Sequence, residues 1–290
     1  MHDVIVVGGS YAGISAALQI ARGRRGVLVV DAGERRNRFA ARAHGFLGHD
    51  GDDPAALQAA GKAQLLAYPT VTWRAGRAVR AAAATDGFAL ALESGEQLAA
   101  RRLVLATGVV DELPAIPGLA ERWGRSVFHC PYCHGYELGG GPVAVIATSP
   151  VSVHSALLLP DWGPTTYVTR DIEPTADELA ALARRGVRVE RTPIAAIEGA
   201  ADVRLATGEV AAFAGLFVAP AMRISPLAAQ LGCALDQTPL GALVKTDLTR
   251  ETTVRGVFAC GDTIIGGNVA SAVGDGARAG AAAHRSLALR

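Results

Sequence analysis

The chain has 290 residues, half of them apolar and 19% charged, with a formal net charge of +1. That length suits roughly two domains with packed cores, and the composition excludes a disordered chain or a coiled coil. The near-neutral charge excludes an electrostatic nucleic-acid binder, and four cysteines in this length exclude a secreted disulfide scaffold.

The first segment, 4–21, reads VIVVGGSYAGISAALQIA. No basic region precedes it, and glycine, serine, tyrosine and glutamine interrupt it, so neither an export signal nor a membrane span is expected. It predicts a strand over 4–7, a turn over 8–13 and a helix over 14–21. The expected compartment is the reducing cytoplasm, where a Cys-x-x-Cys is catalytic or metal-binding rather than structural. Gly8-Gly9-Ser10-Tyr11-Ala12-Gly13 departs from the dinucleotide fingerprint G-x-G-x-x-G only at Ser10. Gly8 suits the tight turn and Gly13 close helix–strand packing. A second strand, 27–30, ends at Asp31, placed to bind a ribose hydroxyl.

Segment 79–102 predicts a small antiparallel meander with turns at Asp86-Gly87 and Ser94-Gly95. A strand over 103–106 runs into Thr107-Gly108, and 113–118 (LPAIPG) reads as a linker. Further strands are predicted at 143–146, 166–169, 216–218 and 257–260, the last leading into Gly261-Asp262. Strands alternating with alanine-rich helical patterns give an α/β class: two Rossmann-like domains, one inserted in the other. The outer domain is expected over 1–113 and 245–290 and the inner over 114–244, with the return crossing near 239–246.

Phe128-His129-Cys130-Pro131-Tyr132-Cys133-His134-Gly135-Tyr136-Glu137 is the most informative stretch. A zinc site needs about four ligands at set spacing. Cys233 and Cys260 are isolated, and His129 and His134 crowd the pair, so no metal is expected. A redox pair is. Pro131 suits the first turn of a helix, which puts the cysteines at a helix N-terminus and favours a thiolate. His134 can move a thiol proton, and Glu137, three residues on, is expected to orient it or raise its pKa.

The strand 143–146 is followed by Ala147-Thr148-Ser149-Pro150-Val151-Ser152, without a glycine. After 166–169 only Arg170 is basic, and Asp171 and Glu173 follow. A phosphate held there would meet like charge, so NADPH is not expected in the inner domain.

Thr107-Gly108 and Gly261-Asp262 resemble the A-T-G and G-D motifs of two-dinucleotide-binding flavoproteins. The resemblance implies FAD, with Asp262 near the ribityl or pyrophosphate. With the Cys-x-x-Cys in an inserted domain, the whole chain resembles the low-molecular-weight thioredoxin reductases. Cys-Pro-Tyr-Cys-His-Gly-Tyr-Glu is similar to a branch of FAD-dependent dithiol oxidases that close disulfides in natural products such as gliotoxin, holomycin and romidepsin. Carried over by position, Cys133 faces the flavin, Cys130 exchanges with a small dithiol or thiol substrate, and His134 and Glu137 handle protons. His44 lies near the flavin, and Asn268 and Val269 reach its ring. The resemblance also implies molecular oxygen as acceptor, with release of hydrogen peroxide, and a homodimer. Two other readings stay open: an NADPH- or ferredoxin-driven disulfide reductase, and a flavin-bearing redox-responsive interaction protein.

Overall fold

The computed structural model describes residues 1–289. The chain opens with β1 (His2–Val7), α1 (Tyr11–Arg22) and β2 (Val27–Asp31). The first helix therefore starts three residues earlier than the sequence predicts, directly after Ser10. Helix α2 (Pro54–Leu66) begins on Asp53, whose side chain accepts the Ala55 N–H, with proline in the first helical position. Strands β3 (Val71–Ala75), β4 (Ala78–Ala84), β5 (Gly87–Leu92) and β6 (Gln97–Leu105) follow.

The order β3-β2-β1-β6 is parallel throughout, as α/β crossovers require. The meander is not a separate insertion, because β6 serves two partners on one edge. Gln97–Ala100 pairs antiparallel with β5, while Leu103–Leu105 pairs parallel with a strand from the far end of the chain. The turn predicted at Ser94-Gly95 falls between β5 and β6, and the one predicted at Asp86-Gly87 comes one residue early, at 85–86, with Gly87 opening β5.

Strand β7 (Val109–Glu112) leaves this domain. The inserted unit contains β8 (Val127–Phe128), α3 (Pro131–His134), β9 (Val143–Ile146), α4 (Ser152–Leu158), β10 (Thr165–Val168), α5 (Ala176–Arg184) and β11 (Arg188–Glu190). It continues with β12 (Ile194–Glu198), β13 (Asp202–Leu205), β14 (Val210–Ala212) and β15 (Gly215–Phe217). Its main sheet is parallel, in the order β11-β10-β9-β15-β8, and β12-β13-β14 form an antiparallel layer. Thr175 and Glu178 close α5 with a reciprocal capping box.

The return crossing lies earlier than 239–246. Strand β16 (Ala221–Ile224) pairs antiparallel with β7, so the two crossings are one two-stranded ribbon. Helix α6 (Leu227–Gln230) then buries Leu227 and Ala228 in the first sheet's core, beside Cys233 and Val244. Residues 227–244, which the sequence pattern places in the inner domain, thus pack with the outer one. Their polar turn 236–241 reads like a linker, but buried Leu227 and Val244 anchor both sides of it. Strands β17 (Leu235–Thr238) and β18 (Gly241–Val244) form a hairpin, β19 (Val257–Ala259) completes the first sheet, and α7 (Val269–Leu289) closes the chain.

Helix α7 lies against α1 at backbone contact. A Cβ on Gly276 or Gly280 would overlap the carbonyl oxygen of Ala12 or Ala16. Both helices cover one face of the sheet through Ile20, Ala16, Ala279 and Ala283, all fully buried. Strands β1, β6 and β19 are adjacent, so the turns at their C-terminal ends meet, and open α/β sheets bind ligands at such an edge. Among the described residues no helix is long and apolar enough to cross a membrane.

Candidate active site

The turn after β1 is built for close approach. Gly8 adopts φ +110°, where a Cβ would overlap the Ala106 carbonyl, and a Cβ on Gly13 would overlap the carbonyl of Gly8 itself. Gly9 donates its N–H to Asp31 Oδ1 at 3.0 Å, and the Gln58 side chain caps its carbonyl at 2.7 Å. Ser10 is the N-cap of α1 but makes no capping bond, and no acidic residue occupies the first turn. The helix N-terminus therefore keeps N–H donors and positive potential for an anion. Tyr11 donates from its hydroxyl to the Pro54 carbonyl at 2.8 Å and accepts from Asn37 at 3.2 Å. Asn37 Oδ1 and Arg35 Nη1 are buried without a protein partner. Ala12 packs against Gly261.

The other two turns are tied together. Gly108, at φ +63°, donates its N–H to Thr263 Oγ1 at 2.9 Å, and Thr107 Oγ1 lies 3.4 Å from the same hydroxyl. Asp262 accepts the Gly267 N–H at 3.2 Å, and its Oδ2 pairs with Arg36 Nη1 at 2.9 Å. The Asn268 side chain accepts the Ser271 N–H at 2.9 Å, just ahead of Val269, the first residue of α7.

Arg36 is the residue that sequence reasoning misses. It also grips Asp111 on β7 through two hydrogen bonds, of 2.9 and 2.5 Å, and its Nη2 lies 3.7 Å from Met222 Sδ on β16. One guanidinium therefore joins the fingerprint domain to both crossing strands. The side chains of Arg36, Asp111 and Asp262 are only 19%, 7% and 18% exposed. The flanking carboxylates hold Arg36 more firmly protonated than usual, outweighing the opposing cost of its own burial. No motif marks it, because both partners are distant in sequence.

Cys130 is the N-cap of α3, Pro131 its first residue and Cys133 its third. Both thiols are free and half-buried. Cys130 is pushed down to about 7, first by the hydrogen bond from the Cys133 thiol, then by the N–H groups of Cys133 and Tyr132 and the field of Arg36, against its burial. The same bond, with burial and the charge on Cys130, pushes Cys133 up. Of the two thiols, Cys130 is thus the more readily ionised. The fields of both Arg36 and Asp262 reach Cys133.

His134 stacks on Phe128, ring centroids 4.3 Å apart and 17° from parallel. Burial lowers its pKa, and neither ring nitrogen has a partner. Glu137 does not hydrogen-bond to it. Helix α3 gives way at Gly135, wedged against Trp162, to a 3-10 turn over Tyr136–Leu138. That tighter turn sends Glu137 outward, to within 3.4 Å of Nε2 of His44 on the other domain. His44, expected near a flavin, also lies 3.6 Å from Asp50. These three residues line an open depression of about 290 Å³ with Gly45, Tyr132 and Tyr136.

Cys260 is fully buried and its thiol is pushed up to about 12 by that burial; Cys233 is buried too and directed at Thr252 Oγ1, 3.4 Å away. In the inserted domain, the turn after β9 is filled from within. Ser152, fully buried, accepts the N–H groups of Thr148 and Ser149 at 3.0 and 3.3 Å. Arg170 donates to the Ala147 carbonyl at 3.2 Å.

A family model described as pyridine nucleotide-disulphide oxidoreductase matches residues 2–282. The chain is 34% identical to thioredoxin reductase tcpT of Claviceps purpurea, covering 98% of this chain and 94% of that protein. The crystal structure of an oxidoreductase from Agrobacterium tumefaciens superposes with a TM-score of 0.96 at 55% identity, over 99% of this chain and 98% of that one. The crystal structure of HlmI gives 0.92 at 36% identity, over 99% and 92%.

Proposed function

Because the chain belongs to the pyridine nucleotide-disulphide oxidoreductase family, a flavoprotein family of α/β fold, we propose that it is an FAD-dependent dithiol oxidase. The observation that carries this reading is the contrast between two turns. The one after β1 is open to a pyrophosphate, while the one after β9 spends its N–H groups on Ser152. An enzyme that draws electrons from a dithiol needs the first site and not the second.

The residues present fit FAD. Gly8, Gly9, Ser10 and the start of α1 would hold the pyrophosphate, and Asp31 Oδ2 a ribose hydroxyl. Asn37 Oδ1 and Arg35 Nη1 are buried polar atoms that a bound group would satisfy. Thr107, Gly108, Gly261, Asp262 and the N-terminus of α7 would line its redox end. When bound, the flavin supplies a two-electron acceptor for the cysteine pair and delivers those electrons to oxygen.

The protein supplies the sulfur chemistry. With the pair as a disulfide, a substrate thiolate attacks Cys130 Sγ and Cys133 leaves as thiolate. The substrate's second thiolate then displaces Cys130, and a cyclised disulfide departs. Neutral His134 accepts the thiol proton, since burial disfavours its charged form. Arg36 steadies the negative charge on the cysteines. Tyr132 and Tyr136, 68% and 85% exposed, offer aromatic faces to a small substrate beside Cys130.

The test is aerobic turnover of the purified protein with dithiothreitol. Repeated release of about one peroxide per dithiol is expected, and Cys130→Ser should abolish it while retaining FAD. A single stoichiometric burst without turnover would favour a redox-responsive binding protein instead.

A further inference from the structure

We propose that Asp50 and Glu137 make the mouth of the cysteine site a charge filter, which admits neutral and cationic dithiols and repels those that carry a carboxylate. The proposal rests on the dithiol reading above and names the substrate class within it. The open depression of about 290 Å³ adjoins the redox pair. Tyr132, one of its walls, stands between the two cysteines on the single turn of α3, and such a turn advances only about 5.4 Å. The Tyr132 ring is held in place, edge-on to Trp162 with centroids 5.3 Å apart, and Trp162 in turn abuts Gly135. Tyr132 and Tyr136 nevertheless stay exposed, so the mouth offers two aromatic faces that a small molecule can cover.

The rest of the lining sets the sign of its potential. Asp50, Glu137 and His44 supply its ionisable side chains besides the tyrosines, and no lysine or arginine lines it among the described residues. It therefore stays negative whether or not the imidazole carries a proton. The Asp50 and Glu137 side chains are 71% and 44% exposed, so both carboxylates face an incoming solute. Asp50 is fixed there by accepting the Gly45 N–H at 2.7 Å. The neighbouring Arg42 is turned onto the Gly51 carbonyl at 3.1 Å. Arg36 adds no compensating charge, because it lies between Asp111 and Asp262. A sphere of 290 Å³ is about 8 Å across, so a charge seated in the depression lies inside the Debye length of about 10 Å at 0.1 M salt. An anion there meets repulsion from both carboxylates, while a cation gains from them and from the tyrosine faces.

The experiment measures how fast four dithiols reduce the Cys130–Cys133 disulfide, by rapid alkylation of the released thiols and mass spectrometry. Dihydrolipoamide and dihydrolipoate differ by one carboxylate charge; dithiothreitol and dithiobutylamine differ by one ammonium charge. Each rate is divided by that of the same dithiol with bis(2-hydroxyethyl) disulfide, which removes differences in thiol ionisation. At about 10 mM salt, dihydrolipoamide should outrun dihydrolipoate roughly fivefold, and dithiobutylamine should outrun dithiothreitol by a similar factor. At about 1 M salt, where the Debye length is about 3 Å, both ratios should fall towards one. Asp50→Asn keeps an oxygen for the Gly45 N–H and should reduce both ratios, and Asp50→Lys should erase them. Ratios near one at low salt overturn the proposal. So does a preference that neither salt nor the Asp50 variants diminish, since that preference would come from shape. A wild-type disulfide inert to all four dithiols would overturn the dithiol reading itself.

Discussion

Glu137 presents its carboxylate to His44, 3.4 Å away across the domain boundary, and not to His134 three residues before it. The pairing sets Glu137 on the domain boundary beside His44, where its charge still acts on His134. Glu137→Gln should therefore keep fold and flavin content yet lower dithiol turnover by about a hundredfold, the low end for acid–base groups. Steady-state peroxide release checks this; an unchanged rate would remove Glu137 from the chemistry.

The ionisation of Cys130 gives a second expectation. With its pKa held at about 7, alkylation of the reduced protein by iodoacetamide should rise with pH through 7, below the midpoint of about 8.5 for a free thiol. Cys133→Ala removes the largest stabilising contact, so its midpoint should move up. Stopped alkylation followed by mass spectrometry across pH 5–10 reads both.

Arg36 ties Asp262 to the crossing strand through Asp111. Arg36→Gln leaves two mostly buried carboxylates without their cation, which should cost about 3 kcal/mol of stability. The Asp111→Asn change should recover part of that loss in the double variant, because the two residues share one contact. Urea unfolding measures it, and FAD retention on gel filtration should fall in parallel.

Two glycines on α7 should respond oppositely to one substitution. Gly280→Ala drives a Cβ into the Ala16 carbonyl, so overpacking should destabilise by roughly 1–3 kcal/mol. At Gly274 an added Cβ would meet nothing within 4 Å, and the position is exposed. Gly274→Ala should therefore stabilise by up to about 1 kcal/mol through helix propensity. Thermal melts of the two variants check the sign.

Local features are legible in the sequence wherever a short stretch carries its own physics. The fingerprint turn, the strand Val143–Ile146 and the cysteine pair on Pro131 all read directly, because hydrophobic runs and glycine or proline positions act within a few residues. What the sequence hides is set by distant partners. The return crossing is fixed by β16 meeting β7, which no window around 239–246 contains. Residues 227–244 look like the end of an inserted domain until Leu227 and Val244 are seen in the first core. Helical spacing assigns Glu137 to His134, but the helix stops after a single turn at Gly135 and the spacing no longer applies. Arg36 escapes sequence reasoning because an ion pair across 75 and 226 positions leaves no local pattern.

The central claim is that electrons enter from a dithiol and not from a pyridine nucleotide. The most direct measurement mixes the purified, oxidised flavoprotein anaerobically with NADPH or with dithiothreitol and follows absorbance near the flavin maximum. The account predicts bleaching by dithiothreitol, loss of that bleaching in Cys130→Ser, and no rapid change with NADPH. Rapid bleaching by NADPH would contradict it and return the protein to the reductases.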